Sequence, residues 1–171
     1  MSIVLIGYRG SGKSTIGRKL ADRLWQDFLD IDDLIVKRAG KSIKEIFEQE
    51  GEEAFREIES LILADLLKLP DAVISLGGGT LNREQNRRAI QAGNHKIIYL
   101  RCDSKVLHDR IHADPATAAT RPALTALGGG LEEIEQMIAR REPFYRQVMT
   151  AELDVTNLSV EEAVVYIVRL L

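Results

Sequence analysis

Gly7-Tyr8-Arg9-Gly10-Ser11-Gly12-Lys13-Ser14 fits the pattern G-x-x-x-x-G-K-[ST] at every fixed position. Glycines at these spacings let successive backbone N–H groups turn inward and line a concave nest for an anion. Lys13 is long enough to reach the outer phosphates of a nucleotide, and the Ser14 hydroxyl suits the Mg²⁺ that accompanies them. Gly10, Ser11, Gly12 and Thr15 complete the cradle. A Gly-rich turn matching by chance would lack the right flanks. Here the β-branched run Ser2-Ile3-Val4-Leu5-Ile6 precedes the loop, and Thr15–Ala21 follows with helical character. The positive end of that helix would face the same phosphates. The chemistry implied is binding of a nucleoside triphosphate, ATP or GTP.

Other residues narrow the reaction. Asp30-Ile31-Asp32-Asp33 follows the second apolar run, where the carboxyl ends of strands in open α/β sheets present ligand-binding residues. One carboxylate, Asp30, can hold Mg²⁺ through water, and the other, Asp32, can accept the proton of an attacking hydroxyl. The plainer alternative is an acidic cap for the next helix, which would account for Asp33 on its own. Gly77-Gly78-Gly79 comes directly after the buried run Ala72–Leu76, so a substrate could lie against bare backbone there. Gly128-Gly129-Gly130 has the same composition but precedes an acidic helix start, and reads as a hinge or spacer. Among the arginines, Arg56 has Glu52, Glu53 and Glu59 within helical reach and Arg141 has Arg140 and Glu142 beside it. Local pairing is therefore the reading of Arg56 that its neighbours favour. His108 and His112 have the i, i+4 spacing of metal ligands but no third partner, and are expected at the surface.

The elements that must hold these groups alternate. Strands are expected at Ile3–Ile6, Phe28–Asp30, Ala72–Leu76, Lys96–Leu100 and Glu152–Val155. Helices are expected at about 14–25, 32–39, 43–50, 52–68, 83–92, 103–113, 131–149 and 159–170, the last opened by the capping box Ser159/Glu162. Such alternation implies a mostly parallel sheet with helices on both faces, in one domain spanning 1–171. The stretch of about 112–130, rich in Ala and Thr with Arg121 near its centre, is long for a connection in a compact domain and is expected to be a lid. A disordered surface insertion is the alternative.

Composition sets limits. With 171 residues, 45% hydrophobic and 29% charged, the chain is ordinary for a globular domain. A net charge of −3 disfavours nucleic-acid binding. Between Arg101 and Arg146 seven basic residues are offset by seven acids, so arginines there would act singly, as on small anions. Cys102 is the only cysteine, which excludes an intrachain disulfide and suits a small packing residue. No apolar run approaches the ~20 residues of a membrane span, and strand 1 begins too early for a signal peptide. A soluble cytoplasmic monomer is expected.

As a set, Gly7–Thr15, Phe28–Asp32, Ile46-Phe47, Gly51–Glu59, Leu76–Gly79, Thr120-Arg121-Pro122 and Arg140–Tyr145 resemble shikimate kinase in order and spacing, over nearly the whole chain. The resemblance implies a three-layer α/β/α P-loop fold of the nucleoside-monophosphate-kinase type, with a five-stranded parallel sheet in the order 2-3-1-4-5. It implies transfer of the γ-phosphate of ATP to the 3-hydroxyl of shikimate, with one Mg²⁺. On matching positions, Lys13, Asp32 and Arg121 would be catalytic. Asp32, Arg56, Gly77, Gly78, Gly79 and Arg141 would bind shikimate, from a substrate region of about 32–60 onward. Arg110 and Asn157 would meet adenine, while Ser14 and Asp30 would serve the metal. This reverses the local reading of Arg56. The Asp114–Thr120 stretch is longer and richer in Ala and Thr than the family lid. Two rival readings stay open on the residues alone: a kinase for another hydroxy acid such as gluconate, and a nucleotide-gated regulatory module without catalysis.

Overall fold

The computed structural model describes residues 1–114 and 128–171. Most of the expected lid, with Arg121, lies outside the described residues. Two kinds of strand build the sheet. Ile3–Ile6 (β1), Ala72–Ser75 (β3) and the middle of Lys96–Arg101 (β4) are buried at successive positions, because helices cover both faces. Asp27–Asp30 (β2) and Ala151–Asp154 (β5) are less buried. They are the two edges of a sheet of order β2-β3-β1-β4-β5, the order expected, with every pair parallel. Ile3 stands opposite both Val73 and Lys96, and Asp30 opposite Ser75, so the carboxyl ends of β1, β2 and β3 share one rim.

The helices are Lys13–Leu24 (α1), Ile31–Ala39 (α2), Ile43–Leu66 (α3), Glu84–Ala92 (α4), Ser104–Ala113 (α5), Leu131–Val148 (α6) and Val160–Leu170 (α7), with a 3-10 turn at Thr80–Asn82. Strand alternation divides the core into two layers. Val4, Ile6, Ile74, Ile97 and Tyr99 pack with Ile31, Ile35, Ile46, Phe55, Leu63, Ile90 and Tyr145 from α2, α3, α4 and α6. Ile3, Leu5, Val73, Ile98 and Leu100 pack with Ile16, Leu20, Leu107, Ile134, Val164 and Ile167 from α1, α5, α6 and α7. Each large aliphatic side chain so buried contributes about 1.5–3 kcal/mol. Helix α6 alone of those named enters both layers, through Ile134 near its start and Tyr145 near its end.

Some boundaries differ from those expected. The segments 43–50 and 52–68 join as α3, yet Gly51 breaks the helical dihedrals at the expected place (φ 86°, ψ 169°). A capping box at Ser42/Glu45, not foreseen, opens that helix, and the foreseen one at Ser159/Glu162 opens α7. Strand β5 starts and ends one residue earlier than expected, although the Val155 N–H still donates to the Arg101 carbonyl at 2.8 Å. No helix among the described residues is long and apolar enough to cross a membrane.

Helix α1 ends on Trp25 in the left-handed region (φ 56°, ψ 40°), where the Gln26 N–H reaches back to the Ala21 carbonyl at 3.0 Å and the Trp25 N–H to Asp22 at 3.4 Å. Such a cap usually carries glycine, because a Cβ there costs about 1 kcal/mol. The indole is 96% exposed and so returns almost no burial for that cost. Trp25→Gly is therefore expected to raise stability by about 0.5–1 kcal/mol in urea unfolding; a loss of stability would show that the ring makes contacts the fold needs.

Candidate active site

The loop leaving β1 is shaped by what a side chain would hit. A Cβ on Gly7 (φ 148°) would lie 2.6 Å from the Leu100 carbonyl oxygen of β4, so only glycine lets the chain leave the sheet at this point. Gly10 and Gly12 are also left-handed, and Gly12 is the residue before α1. The turn between them is closed by Tyr8, whose carbonyl accepts from the Ser11 N–H at 3.2 Å and from Ser11 Oγ at 2.7 Å. Lys13 is buried beside the loop, its Nζ donating to the carbonyls of Gly7 at 2.8 Å and Tyr8 at 2.9 Å. Ser14 and Thr15 follow in the first turn of α1, Ser14 half-buried and Thr15 exposed.

The acidic cluster meets this loop. Asp30 is the N-cap of α2, its Oδ1 accepting from the Asp32 N–H at 3.0 Å. Its Oδ2 accepts from Ser14 Oγ at 2.6 Å, which joins the end of β2 to the first turn of α1. The capping role foreseen for Asp33 thus belongs to Asp30, while exposed Asp33 stands 3.6 Å from Arg18. Ile31 is fully buried, and Asp32 projects from the first turn of the helix rather than from an extended strand. Ser14 and Asp30 offer hydroxyl and carboxylate oxygens only, a donor set that suits a hard cation such as Mg²⁺.

The third component is Gly77-Gly78-Gly79, after β3. Leu76 still donates to the Leu5 carbonyl at 3.1 Å, so the triplet starts flush with the rim of the sheet. The side chains around it occupy the space that Cβ atoms would need. A Cβ on Gly77 would be 3.2 Å from Asp32 Oδ1 and 3.2 Å from Glu59 Oε1; on Gly78, 3.0 Å from Arg141 Nη1; on Gly79, 2.7 Å from Arg56 Nη2. Three helices, α2, α3 and α6, thereby bring Asp32, Arg56 and Arg141 onto one bare stretch of backbone. The Gly78 Cβ position is also 3.6 Å from the Gly7 oxygen and 3.6 Å from the Arg9 nitrogen, so a side chain at Gly78 would meet the phosphate loop.

Buried partners hold these groups still. Glu59, 1% exposed, accepts from Arg56 Nη1 at 2.8 Å and from Thr80 Oγ1 at 2.7 Å. Arg56 thus keeps the local ion pair that its neighbours suggested and reaches the triplet as well. Arg141 does not pair with the adjacent Glu142, which binds Arg146 at 2.8 Å; it lies buried, 5.6 Å from the Tyr8 ring. No acceptor among the described residues meets the Arg141 Nε–H. The Tyr145 hydroxyl donates to the Gly78 carbonyl at 2.6 Å, and burial pushes that phenol well above its ordinary range, so it stays a donor.

The remaining expected residues sit on the β4/β5 side. Arg110 Nη1 points at the Gly10 carbonyl at 3.4 Å and at Cys102 Sγ at 3.8 Å. Asn157 is exposed in the turn after β5, and the neighbouring Thr156 accepts from the Asp103 N–H at 3.0 Å, joining that turn to the start of α5. Cys102 is buried and burial raises its thiol pKa, in keeping with a packing role. His108 and His112 stack on one another at 4.1 Å, and no cluster of three metal-ligating side chains occurs among the described residues. Glu59, Tyr145, Arg9 and Glu133 were not foreseen as site residues. Only Glu59 carried a signal, as a helical neighbour of Arg56.

A family model for shikimate kinase matches residues 9–171. Among curated relatives, a shikimate kinase of Rhodopirellula baltica is 38% identical over 167 residues, covering 98% of this chain and 88% of its own. Another, of Streptococcus gordonii, is 40% identical over 162 residues, covering 95% of each chain. Among solved structures, the shikimate kinase of Acinetobacter baumannii in complex with shikimate superposes with a TM-score of 0.91 at 29% identity, covering 99% of this chain and 91% of its own.

The bond from Tyr145 to Gly78 can be tested without any ligand. Tyr145→Phe keeps the ring against Tyr99, 5.1 Å away, and removes only the donor. It is expected to cost about 1–2 kcal/mol in denaturant unfolding, since a buried carbonyl loses its partner. A change below ~0.3 kcal/mol would mean that the Gly78 carbonyl is satisfied in some other way.

Proposed function

The chain belongs to the shikimate kinase family, and from that premise we propose how its own residues carry the reaction: transfer of the γ-phosphate of ATP to the 3-hydroxyl of shikimate, giving shikimate 3-phosphate and ADP on the route to chorismate and the aromatic amino acids. The observation that supports the assignment of residues is the contact between two built sites. The phosphate loop and the triplet flanked by Asp32, Arg56 and Arg141 adjoin at Gly78, where a Cβ would lie 3.6 Å from the Gly7 oxygen. An acceptor lying on the triplet would face a triphosphate held by the loop.

The shikimate carboxylate is assigned to Arg56 and Arg141, whose planar forks suit bidentate contact, with Gly77, Gly78 and Gly79 alongside. Arg56 is pre-oriented by Glu59. The triphosphate is assigned to the loop amides of Gly10, Ser11, Gly12, Lys13, Ser14 and Thr15, with Arg110 and Asn157 toward the base. Ser14 would ligate Mg²⁺ directly and Asp30 through water, and the ion, when bound, would neutralise charge on the β- and γ-phosphates. Arg121, outside the described residues, is assigned to the same phosphates.

Asp32 is assigned to the acceptor hydroxyl. A carboxylate cannot strip an alcohol of its proton beforehand, and a loose transition state does not require it to. The hydroxyl oxygen forms a bond to the γ-phosphorus as the bond from phosphorus to the bridging oxygen breaks. The electron pair leaves with ADP, and the proton passes late to Asp32. Lys13 stabilises the charge that spreads over the transferring group.

A coupled assay of ADP release checks this reading. ADP release is expected to require shikimate. Lys13→Ala is expected to lower kcat by about 10²–10³. Asp32→Asn is expected to lower it by about 10²–10⁴ while ATP binding persists. ATP turnover of similar rate with and without shikimate would sink the assignment. Separately, Arg141→Lys retains charge but loses the fork, and is expected to raise KM for shikimate by at least ~10-fold, the size of one charge-assisted hydrogen bond. An unchanged KM would remove Arg141 from the carboxylate site.

A further inference from the structure

Arg9 occupies a variable position of the phosphate-loop pattern, yet only 7% of it is exposed. Its Nη2 lies 3.9 Å from Glu133 Oε2, and Glu133 is fully buried in the first turn of α6. On the other side its backbone nitrogen packs 3.6 Å from the Gly78 Cβ position, and the next residue back, Tyr8, lies under the Arg141 guanidinium. Tyr8 and Arg9 therefore bring the loop against the side of the site that carries Gly78 and Arg141.

Helix α6 is an 18-residue element that passes from one core layer to the other. It carries Arg141 two turns beyond Glu133, and Tyr145 one turn further. Without a fixed point near its start, Arg141 could slide relative to the loop. A buried charge pair supplies such a point, because drawing the two groups apart weakens the pairing of charges held out of water. Hydrophobic contact at Ile134 is less directional and does not fix register.

We propose that Arg9 and Glu133 form a positioning pair that sets the distance between the phosphate loop and Arg141, so that the grip on the acceptor carboxylate depends on a contact neither substrate touches. This rests on the shikimate kinase reading above. It makes Arg9, through its loop position, a determinant of acceptor binding rather than of phosphate binding.

The test is a double-mutant cycle on the full chain with Arg9→Met, Glu133→Gln and the double variant Arg9→Met/Glu133→Leu, reading KM for shikimate in the ADP-release assay and thermal midpoints in parallel. Each single change is expected to raise KM for shikimate by about 10-fold or more, and the double variant to recover to within about threefold of the unaltered chain. A coupling in KM of threefold or more supports the pair; a smaller coupling, with the singles simply multiplying, overturns it. Should a single variant fail to fold, Arg9→Lys and Glu133→Asp keep both charges and shorten the reach. Each is then expected to raise KM for shikimate at least threefold with its thermal midpoint within about 2 °C of the unaltered chain, and a smaller rise overturns the proposal. Failure of the underlying reading is separately visible: the unaltered chain would then release no ADP in response to shikimate.

Discussion

The site depends on the contact of two stretches of backbone that carry no side chains between them. At Gly78 the chain after β3 lies so near the loop after β1 that a Cβ there would be 3.6 Å from the Gly7 oxygen and 3.6 Å from the Arg9 nitrogen. Parallel pairing of β1 with β3 makes this possible, since it brings their carboxyl ends to one rim. A Cβ at any of the three positions would collide with or crowd Asp32, Arg141 or Arg56. The glycines therefore act less by bending the chain than by leaving volume that three charged side chains fill. A phosphate donor and an acceptor can be neighbours only if nothing bulkier than backbone separates them, and this is the geometric requirement of in-line transfer.

Charged groups in so tight a space must be held by others, or they would relax toward water. The structure does this with buried acids and a phenol. Glu59 receives Arg56 and Thr80, Glu133 lies against Arg9, and Tyr145 fixes the Gly78 carbonyl. None of these partners is a surface ion pair of the kind worth a few tenths of a kcal/mol. They are inaccessible groups whose removal takes a matched partner from a buried charge or carbonyl. Pre-orientation of this kind reduces the entropy lost when a small anionic ligand binds, because the guanidinium groups need not be gathered first.

The parts of the molecule that were legible in advance are those fixed by local chemistry. The loop from Gly7 to Ser14 follows from residue types that a nest demands, the parallel sheet from alternation, its strand order from the resemblance, and the break at Gly51 and the cap at Ser159 from single residues. Arg56 shows the limit. Its neighbours Glu52 and Glu59 predict a local ion pair, and that pair exists, yet the same guanidinium is also part of the site. Pairing along a helix and pointing into a pocket are compatible when the acid partner is itself buried, and sequence spacing does not reveal burial. Glu133 is harder still. It reads as an ordinary acidic first turn, favourable to the helix dipole, and only the packing of α6 against the loop gives it Arg9 as a partner. Trp25 carries no signal of any kind, since nothing in its neighbours demands a left-handed aromatic cap.

Helix α6 draws these observations together. Its start is tied to the phosphate loop by charge, its middle bears Arg141, and its end anchors the glycine triplet through Tyr145. Pro143 falls within it, where the missing N–H leaves the carbonyl one turn back without its usual helical partner. A helix weakened at that point would be a poor support if its own hydrogen bonds were its only stiffness. Its rigidity must instead come from tertiary contacts on both sides of the proline: Glu133 and Ile134 before it, Tyr145 and Val148 after it. Contacts on only one side would leave Arg141, which lies between these two anchors, free to follow any bend at Pro143. Their placement on opposite layers of the core makes the position of Arg141 a property of the whole sheet rather than of one helix.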